Sequence, residues 1–157
     1  FIMSIVQLQD LSSEERDLVY QAPAIVAYLI GGADDNFDAA EQAQSKHVVH
    51  IRTSTGDPIL FDFYKETGER FDADLKKLAT AYGSLQAEER TRILVEELAK
   101  LNEILPKVDS LYARAYLKSL RTLGRAVAEA SGGIFGFIEV SYEEKHLLGL
   151  EMITVEP

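Results

Sequence analysis

The sequence predicts an all-α fold, a single-domain bundle of about seven helices. Three observations lead to this prediction. Hydroxyl and acidic residues recur at the spacing of helix N-caps, apolar residues recur every three or four positions, and glycine or proline separates the periodic stretches. The chain has 157 residues, of which 46% are hydrophobic and 27% charged. That is enough for one domain with a substantial core, which we expect to span residues 1–157.

The first helices are predicted from a capping box and a buried apolar run. In the box, the hydroxyl of Ser12 and the carboxylate of Glu15 satisfy each other's backbone donors. The helix that follows is expected to end near Tyr20. A second helix is expected to carry Pro23 in its first turn, where a missing N–H costs nothing. Residues 24–30 are apolar on every side, so this helix should be central and buried.

Two further caps predict the next helices. Asp38 and Glu41 form a second capping box, which should open a helix that runs to about Ile51. After a loop, Asp57 is expected to cap a helix whose first residue is Pro58. The apolar residues after this proline are so dense that an extended segment is the competing prediction there.

The second half of the chain continues in the same pattern. Gly68 is expected to break the helix before it, and apolar periodicity predicts helices over 71–82 and 93–105. A long helix should run from about residue 108 to a serine–glycine–glycine stop at 131–133. A third capping box then predicts a last helix over 141–152.

Charge and composition exclude several classes of protein. The net charge is −10, and so acidic a surface repels phosphate backbones, which argues against a nucleic-acid partner. The densest basic stretch runs from Arg114 to Arg125 and includes Lys118 and Arg121. Its spacing favours the solvated polar face of one helix. The chain contains no cysteine, which fits the reducing cytoplasm, and no apolar run long enough for a transmembrane segment.

An oxygen-rich loop is the main candidate for a binding site. Asp34, Asp35, Asn36, Asp38 and Glu41 lie within eight positions. Hard cations prefer carboxylate and amide oxygens, so the four carboxylates are candidate ligands for Ca²⁺, Mg²⁺ or Mn²⁺. The loop is not an EF-hand, because its sixth position is not glycine and its twelfth is not glutamate. The alternative interpretation is that Asp38 and Glu41 cap a helix while Asp34 and Asp35 are solvated turn residues.

Other polar spacings give weaker hypotheses. His47 and His50 can share one helix face, but zinc would need at least a third ligand. Glu143 and His146 have the spacing of di-iron bundles, which require that motif twice, and the sequence contains no second copy. No arrangement of nucleophile, base and acid can be argued from the sequence. We therefore find no catalytic signature.

Two stretches of the chain share one order of features and carry a family resemblance. Residues 27–41 and 126–144 each contain a buried helix, a glycine- or aspartate-rich loop, an apolar residue, and a cap followed three residues later by glutamate. This pattern resembles the tellurite-resistance TerB-like family, whose members carry an Ala-Asp-Gly-acidic-apolar loop before a capped helix. Residues 33–41 look like that element, and residues 130–144 look like a variant of its second copy. Asp35 stands where the family has glycine, and Gly132-Gly133 replaces the second aspartate.

The resemblance covers about forty residues directly and implies a possible function. It implies an all-helical fold with an internal pseudo-two-fold, divalent-cation binding, and a role in bacterial stress response or membrane-proximal scaffolding. The sequence thus favours a TerB-like binding or scaffold module with protein partners, located in the cytoplasm. One alternative is an enzyme with carboxylates in an interhelical pocket. Another is a bundle that holds an apolar ligand or a partner helix. The sequence also leaves open a homodimer.

Overall fold

The computed structural model describes residues 5–32, 42–43, 45–50, 56–130 and 147–157. All regular secondary structure in these residues is helical and none of it is strand, which confirms the all-α prediction. The α-helices whose bounds lie within the described residues are α1 (Ser13–Gly31), α2 (Phe61–Tyr82), α3 (Ala87–Ala99), α4 (Leu101–Ile104) and α5 (Ser110–Ala130). Short 3-10 helices cover Val6–Leu8, Pro58–Leu60 and Leu105–Lys107. Residues 42–43 and 45–50 are also helical.

Helix α1 lies at the centre of the fold and packs against α2, α3 and α5. Its predicted capping box is confirmed. The Ser12 hydroxyl accepts from the Glu15 amide at 3.1 Å, and the Glu15 carboxylate accepts from the Ser12 amide at 2.9 Å. Every residue from Ala22 to Gly31 is buried, as the absence of a polar face predicted.

The prediction of two helices in this region is wrong, because α1 runs unbroken through Pro23. A proline inside a helix leaves the carbonyl four residues earlier without its amide donor, here the carbonyl of Val19. Tyr116 of α5 replaces that donor, since its buried hydroxyl donates to the Val19 oxygen at 2.9 Å. The apolar residues on both sides of the proline pack into one core. Both effects favour a continuous helix over a break.

The predicted break at Gly68 is also wrong, since α2 passes through it. Asp57 does cap the chain here, with its carboxylate accepting from the Ile59 amide at 3.1 Å, but the first turn is a 3-10 helix. A glycine in a helix interior costs about 1 kcal/mol. The fully buried side chains of Phe63 before it and Phe71 after it outweigh that cost by packing into the same core.

The predicted helix over 93–105 is divided into α3 and α4 at Lys100. The Lys100 amide bonds to the Glu97 carbonyl at 3.2 Å, a three-residue step that tightens the backbone at this point. The predicted long helix corresponds to α5, which begins at Ser110. The Asp109 carboxylate caps its first turn by accepting from the Tyr112 amide at 3.1 Å.

An aromatic cluster joins α1, α2 and α5. The ring of Tyr20 stacks on Phe63 with centroids 5.4 Å apart, while Tyr64 and Tyr116 meet Phe63 edge-on at 5.0 and 5.4 Å. Ser119 donates to the carbonyl of Tyr116 at 2.6 Å, so the Tyr64 hydroxyl, 2.6 Å from the Ser119 oxygen, is the donor in that pair. Packing and hydrogen bonds thus fix the three long helices together.

The C-terminal segment, residues 147–157, lies against α4 and α5, and Asn102 makes several of the hydrogen bonds that hold it. The Asn102 amide group donates to the carbonyl of Met152 at 2.8 Å. Its oxygen accepts from the amides of Thr154 and Val155 at 2.8 and 3.0 Å. Ile153, between these contacts, is buried. The segment therefore forms a fixed part of the surface beside α5.

Candidate functional site

The predicted metal site lies outside the described residues, since Asp34, Asp35, Asp38 and Glu41 all fall between residues 33 and 41. Among the residues that the structure describes, no three histidine, aspartate or glutamate side chains are grouped so as to hold a metal ion. Divalent-cation binding by the acidic loop therefore stays a prediction. Residues 131–144, the second part of the family resemblance, also lie outside the described residues.

The two metal sites predicted around histidine residues also gain no support from the described residues. His47 and His50 are both exposed in the helical stretch 45–50. Glu143 and His146 lie outside the described residues. No third metal ligand accompanies the histidine pair in the described part of the chain. The zinc hypothesis gains no support from the described contacts.

Acid–base chemistry would require a carboxyl group with a raised pKa in a pocket, and the shifted carboxyls in the described residues are of another kind. A hydrogen bond from Lys107 lowers the pKa of Glu15, and one from Arg92 lowers the pKa of Glu89. Both carboxylates lie at the surface and serve ion pairs. The carboxyl groups with a shifted pKa in the described residues are therefore surface ion-pair partners.

Some buried hydroxyl groups lack hydrogen-bond partners. Among the described side chains, these are the hydroxyls of Thr67 and Tyr112, whereas the Tyr20 hydroxyl lies next to the Glu66 carboxylate as a donor. Burial raises the pKa of both tyrosines, and the nearby Glu66 carboxylate raises both further. A phenol that is buried and hard to ionise is a poor base. Both tyrosine rings are buried and belong to the hydrophobic core.

A groove of about 820 Å³ runs between α5 and the C-terminal segment. Its apolar surface comes from both sides and consists of Leu111, Ala115, Leu117, Ile153 and Val155. Leu111 is 65% exposed, one of two large hydrophobic side chains exposed in the described part of the chain. Leu111 therefore extends the apolar surface of the groove out to solvent.

Four cations follow one face of α5: Arg114, Lys118, Arg121 and Arg125, separated by four, three and four positions. We call them the basic stripe. At the rise of an α-helix they extend over about 16 Å. The first three line the groove, and Arg125 lies one turn beyond. Within the described residues, none of the four forms an ion pair, whereas Lys46, Arg70, Arg92, Lys100 and Lys107 all do.

The three groove cations differ in how they are held. The Arg121 Nε–H donates to the carbonyl of Gly149 at 3.0 Å, and the side chain is half-buried. Arg114 is exposed and makes one long contact, from Nη2 to the Ser110 hydroxyl at 3.4 Å. Lys118 is exposed, and its ammonium group has no hydrogen bond in the described structure. Arg121 is thus the most firmly held of the three side chains.

The opposite side of the groove is acidic. Glu151 and Glu156 of the C-terminal segment line it, and Asp57, before the 3-10 helix Pro58–Leu60, adds a third carboxylate to the groove. The groove therefore has a basic wall on α5, an acidic wall facing it, and apolar surface between them.

The sequence located the basic stripe on one helix face but did not reveal the groove. The groove depends on the C-terminal segment, whose position depends on Asn102, some fifty residues earlier in the chain. Nothing in the local sequence marks Asn102 or Gly149 as functional. The exposed Leu111 could have drawn attention, because it is an apolar residue on the polar side of an amphipathic helix.

The chain matches no protein family, no curated protein and no solved structure. The TerB-like resemblance therefore rests on the residues quoted above. No helix within the described ranges combines the length and apolarity that crossing a bilayer requires.

Proposed function

We propose that this protein is a protein-interaction module, and that the groove beside α5 binds an acidic, amphipathic segment of a partner protein. The observation that carries the proposal is the basic stripe along an apolar groove. Its cations have no carboxylate partners in the described structure. On a chain of net charge −10, such a stripe differs sharply from the average surface.

The charges supply steering and orientation. An acidic segment that approaches the stripe gains attraction along the whole length of three helix turns, which raises the association rate at low salt. Exposed ion pairs contribute only about 0.2–1 kcal/mol each, so charge alone does not explain stable binding. The partner segment must also bury apolar surface.

Leu111 and the other apolar residues that line the groove supply the surface that such a segment would bury. Full burial of a leucine side chain is worth about 1.5–3 kcal/mol, and Leu111 is mostly exposed in the free protein. Ala115 and Val155 continue the apolar surface into the groove. An amphipathic segment, with apolar side chains on one face and carboxylates on its flank, matches both features.

The polarity of the groove argues against a nucleic acid as the occupant. A phosphate backbone that followed the basic stripe would also meet the carboxylates of Asp57, Glu151 and Glu156 that line the groove. A protein segment can place acidic side chains on one flank and neutral or basic ones on the other. The acidic wall thus selects a peptide over a uniformly charged polymer.

Fluorescence anisotropy with designed peptides tests the proposal. The probe is a labelled amphipathic helix of about five turns, with leucines on one face and glutamates along one flank. The comparison peptide carries lysine in place of each glutamate. We expect the glutamate peptide to bind the wild-type protein more tightly than the lysine peptide, with an affinity that falls as salt is added.

Paired charge reversals show where the peptide binds. The variant R114E/K118E changes two exposed cations of the stripe, and K76E/K77E makes the same charge change at exposed positions of α2, outside the groove. The first should weaken binding and slow association, and the second should preserve most of the affinity. Leu111→Ala should also weaken binding while leaving stability within about 0.5 kcal/mol. Equal binding of the two peptides, or equal losses in the two reversals, would refute the proposal.

We also propose that the protein belongs with the TerB-like modules of bacterial stress response. Residues 33–41 and 130–144 support this proposal through their loop, cap and glutamate spacing. It includes an arrangement of about seven helices with an internal pseudo-two-fold and a divalent cation at Asp34, Asp35, Asp38 and Glu41. A cytoplasmic location and protein partners fit such a module. A shift of the melting transition with added divalent cation tests the cation site.

A further inference from the structure

We propose that Arg121 is the specificity-determining residue of the groove and recognises one carboxylate of the partner through two parallel hydrogen bonds. The inference rests on the proposed function, because it names the chemical group that the groove binds most selectively. The basic stripe alone does not lead to this inference, because its charges would attract a carboxylate equally at every position.

The geometry of the guanidinium carries this inference. The Arg121 Nε–H is used, since it donates to the Gly149 carbonyl at 3.0 Å. The two terminal nitrogens make no hydrogen bond within the described structure. They form the flat edge that matches the two oxygens of a carboxylate. One contact thus fixes the side chain while its binding edge stays available.

Pre-organisation gives this residue an advantage over its neighbours. A side chain that is already half-buried and hydrogen-bonded loses less rotamer freedom when it binds a ligand. Lys118 is an exposed ammonium on a flexible stem, and Arg114 has one contact of 3.4 Å. These two cations therefore steer the partner toward the groove, whereas Arg121 holds one defined group in it.

The contact to Gly149 also couples recognition to the C-terminal segment. Gly149 belongs to that segment, and Asn102 fixes the same segment three residues further on, at the Met152 carbonyl. The orientation of the Arg121 binding edge therefore depends on the docked position of residues 147–157. The groove and its specificity residue form together when this segment packs against α5.

A pair of conservative substitutions tests the assignment. Arg121→Lys keeps the charge but removes the two-bond edge, and Lys118→Arg keeps the charge at the exposed neighbour. We expect R121K to weaken binding of the glutamate peptide about tenfold or more, mainly through faster dissociation. K118R should stay within about threefold of wild type.

Single glutamate-to-glutamine changes in the peptide separate recognition from a structural effect. At one peptide position, the change to glutamine should strongly weaken binding to the wild-type protein. The same change should hardly affect binding to R121K, because that variant has already lost the guanidinium edge that pairs with this carboxylate. A merely structural role of Arg121 would weaken all peptides equally. Equal effects at every position, or R121K binding like K118R, would overturn the assignment and leave the module intact. Failure of the wild-type protein to bind the glutamate peptide would refute both the role of Arg121 and the proposed interaction module.

Discussion

The contact between Tyr116 and the Val19 carbonyl offers a sharp test of how this fold tolerates Pro23. Replacing Tyr116 with phenylalanine removes one oxygen and leaves the ring in place. The Val19 carbonyl is buried, and Pro23 cannot donate to it. Burial raises the pKa of Tyr116 well above its ordinary value, so its hydroxyl remains a donor at every pH of interest.

The expected cost follows from leaving a buried acceptor unsatisfied. Such groups destabilise a protein by about 1–3 kcal/mol, more than the net value of the hydrogen bond itself. Tyr112 provides the matched control, four residues earlier on α5 and equally buried, with a hydroxyl that has no hydrogen-bond partner. Tyr112→Phe removes a buried hydroxyl that bonds to nothing. It should leave stability unchanged or raise it slightly.

Urea denaturation of the four proteins of a double-mutant cycle measures the effect. Pro23→Ala restores an amide opposite the Val19 carbonyl, so Y116F should cost less in the P23A background than in wild type. The coupling between the two positions should be of order 0.5–2 kcal/mol. Unchanged slopes against urea would show that the unfolded state is not altered.

Two results would refute this reasoning. The first is a cost of Y116F no larger than that of Y112F, which would mean that the Val19 carbonyl needs no outside donor. The second is an equal cost of Y116F with and without Pro23. The proline would then have no part in the role of the tyrosine, and the continuity of α1 would need another explanation.

Three further predictions concern other parts of the chain. Melting with Ca²⁺, Mg²⁺ or Mn²⁺ at a hundredfold excess over the dissociation constant should stabilise the protein by about 2.7 kcal/mol. Asp34→Asn with Asp38→Asn should abolish that increment, and no shift with any of the ions would end the metal hypothesis. Leu29→Ala should cost about 2–5 kcal/mol in urea, because Leu29 is 2% exposed, and a loss under 0.5 kcal/mol would contradict its place in the core. The hydrogen bond from Lys107 lowers the folded-state pKa of Glu15. The stability that this hydrogen bond contributes is present above the ordinary pKa of a glutamate and is lost as pH falls through the lower folded-state pKa. Glu15→Gln should remove that part of the acid dependence, and an unchanged pH profile would contradict the assignment.

Helix type, burial and capped helix starts could be predicted from local patterns, whereas the continuity of helices through proline and glycine could not. The capping box at Ser12 and Glu15 and the apolar residues 24–30 each depend on neighbours within a few positions, and both predictions are confirmed. The breaks predicted at Pro23 and Gly68 are wrong for a common reason. In each case, a tertiary contact or a shared core compensates the local cost, and no pattern near the proline reveals the tyrosine ninety-odd residues away.

The candidate groove could be predicted only in part. The spacing from Arg114 to Arg125 places the cations on one helix face, which the structure confirms. The interpretation as a plain solvated face missed the second wall, since that wall comes from the C-terminal segment. The position of that segment depends on hydrogen bonds from Asn102 and Arg121 and on its own buried residues Leu150 and Ile153, which are contacts between distant parts of the chain.

The hydrogen bonds of Asn102 have a consequence for amide exchange. One side-chain oxygen accepts from two backbone amides, those of Thr154 and Val155. Any opening that moves the segment away from α4 must expose both amides at once. Their opening free energies, measured by hydrogen exchange, should therefore be equal and should fall together in Asn102→Ala. Amides of α1, which are released only when the core itself unfolds, should retain their protection against exchange in that variant.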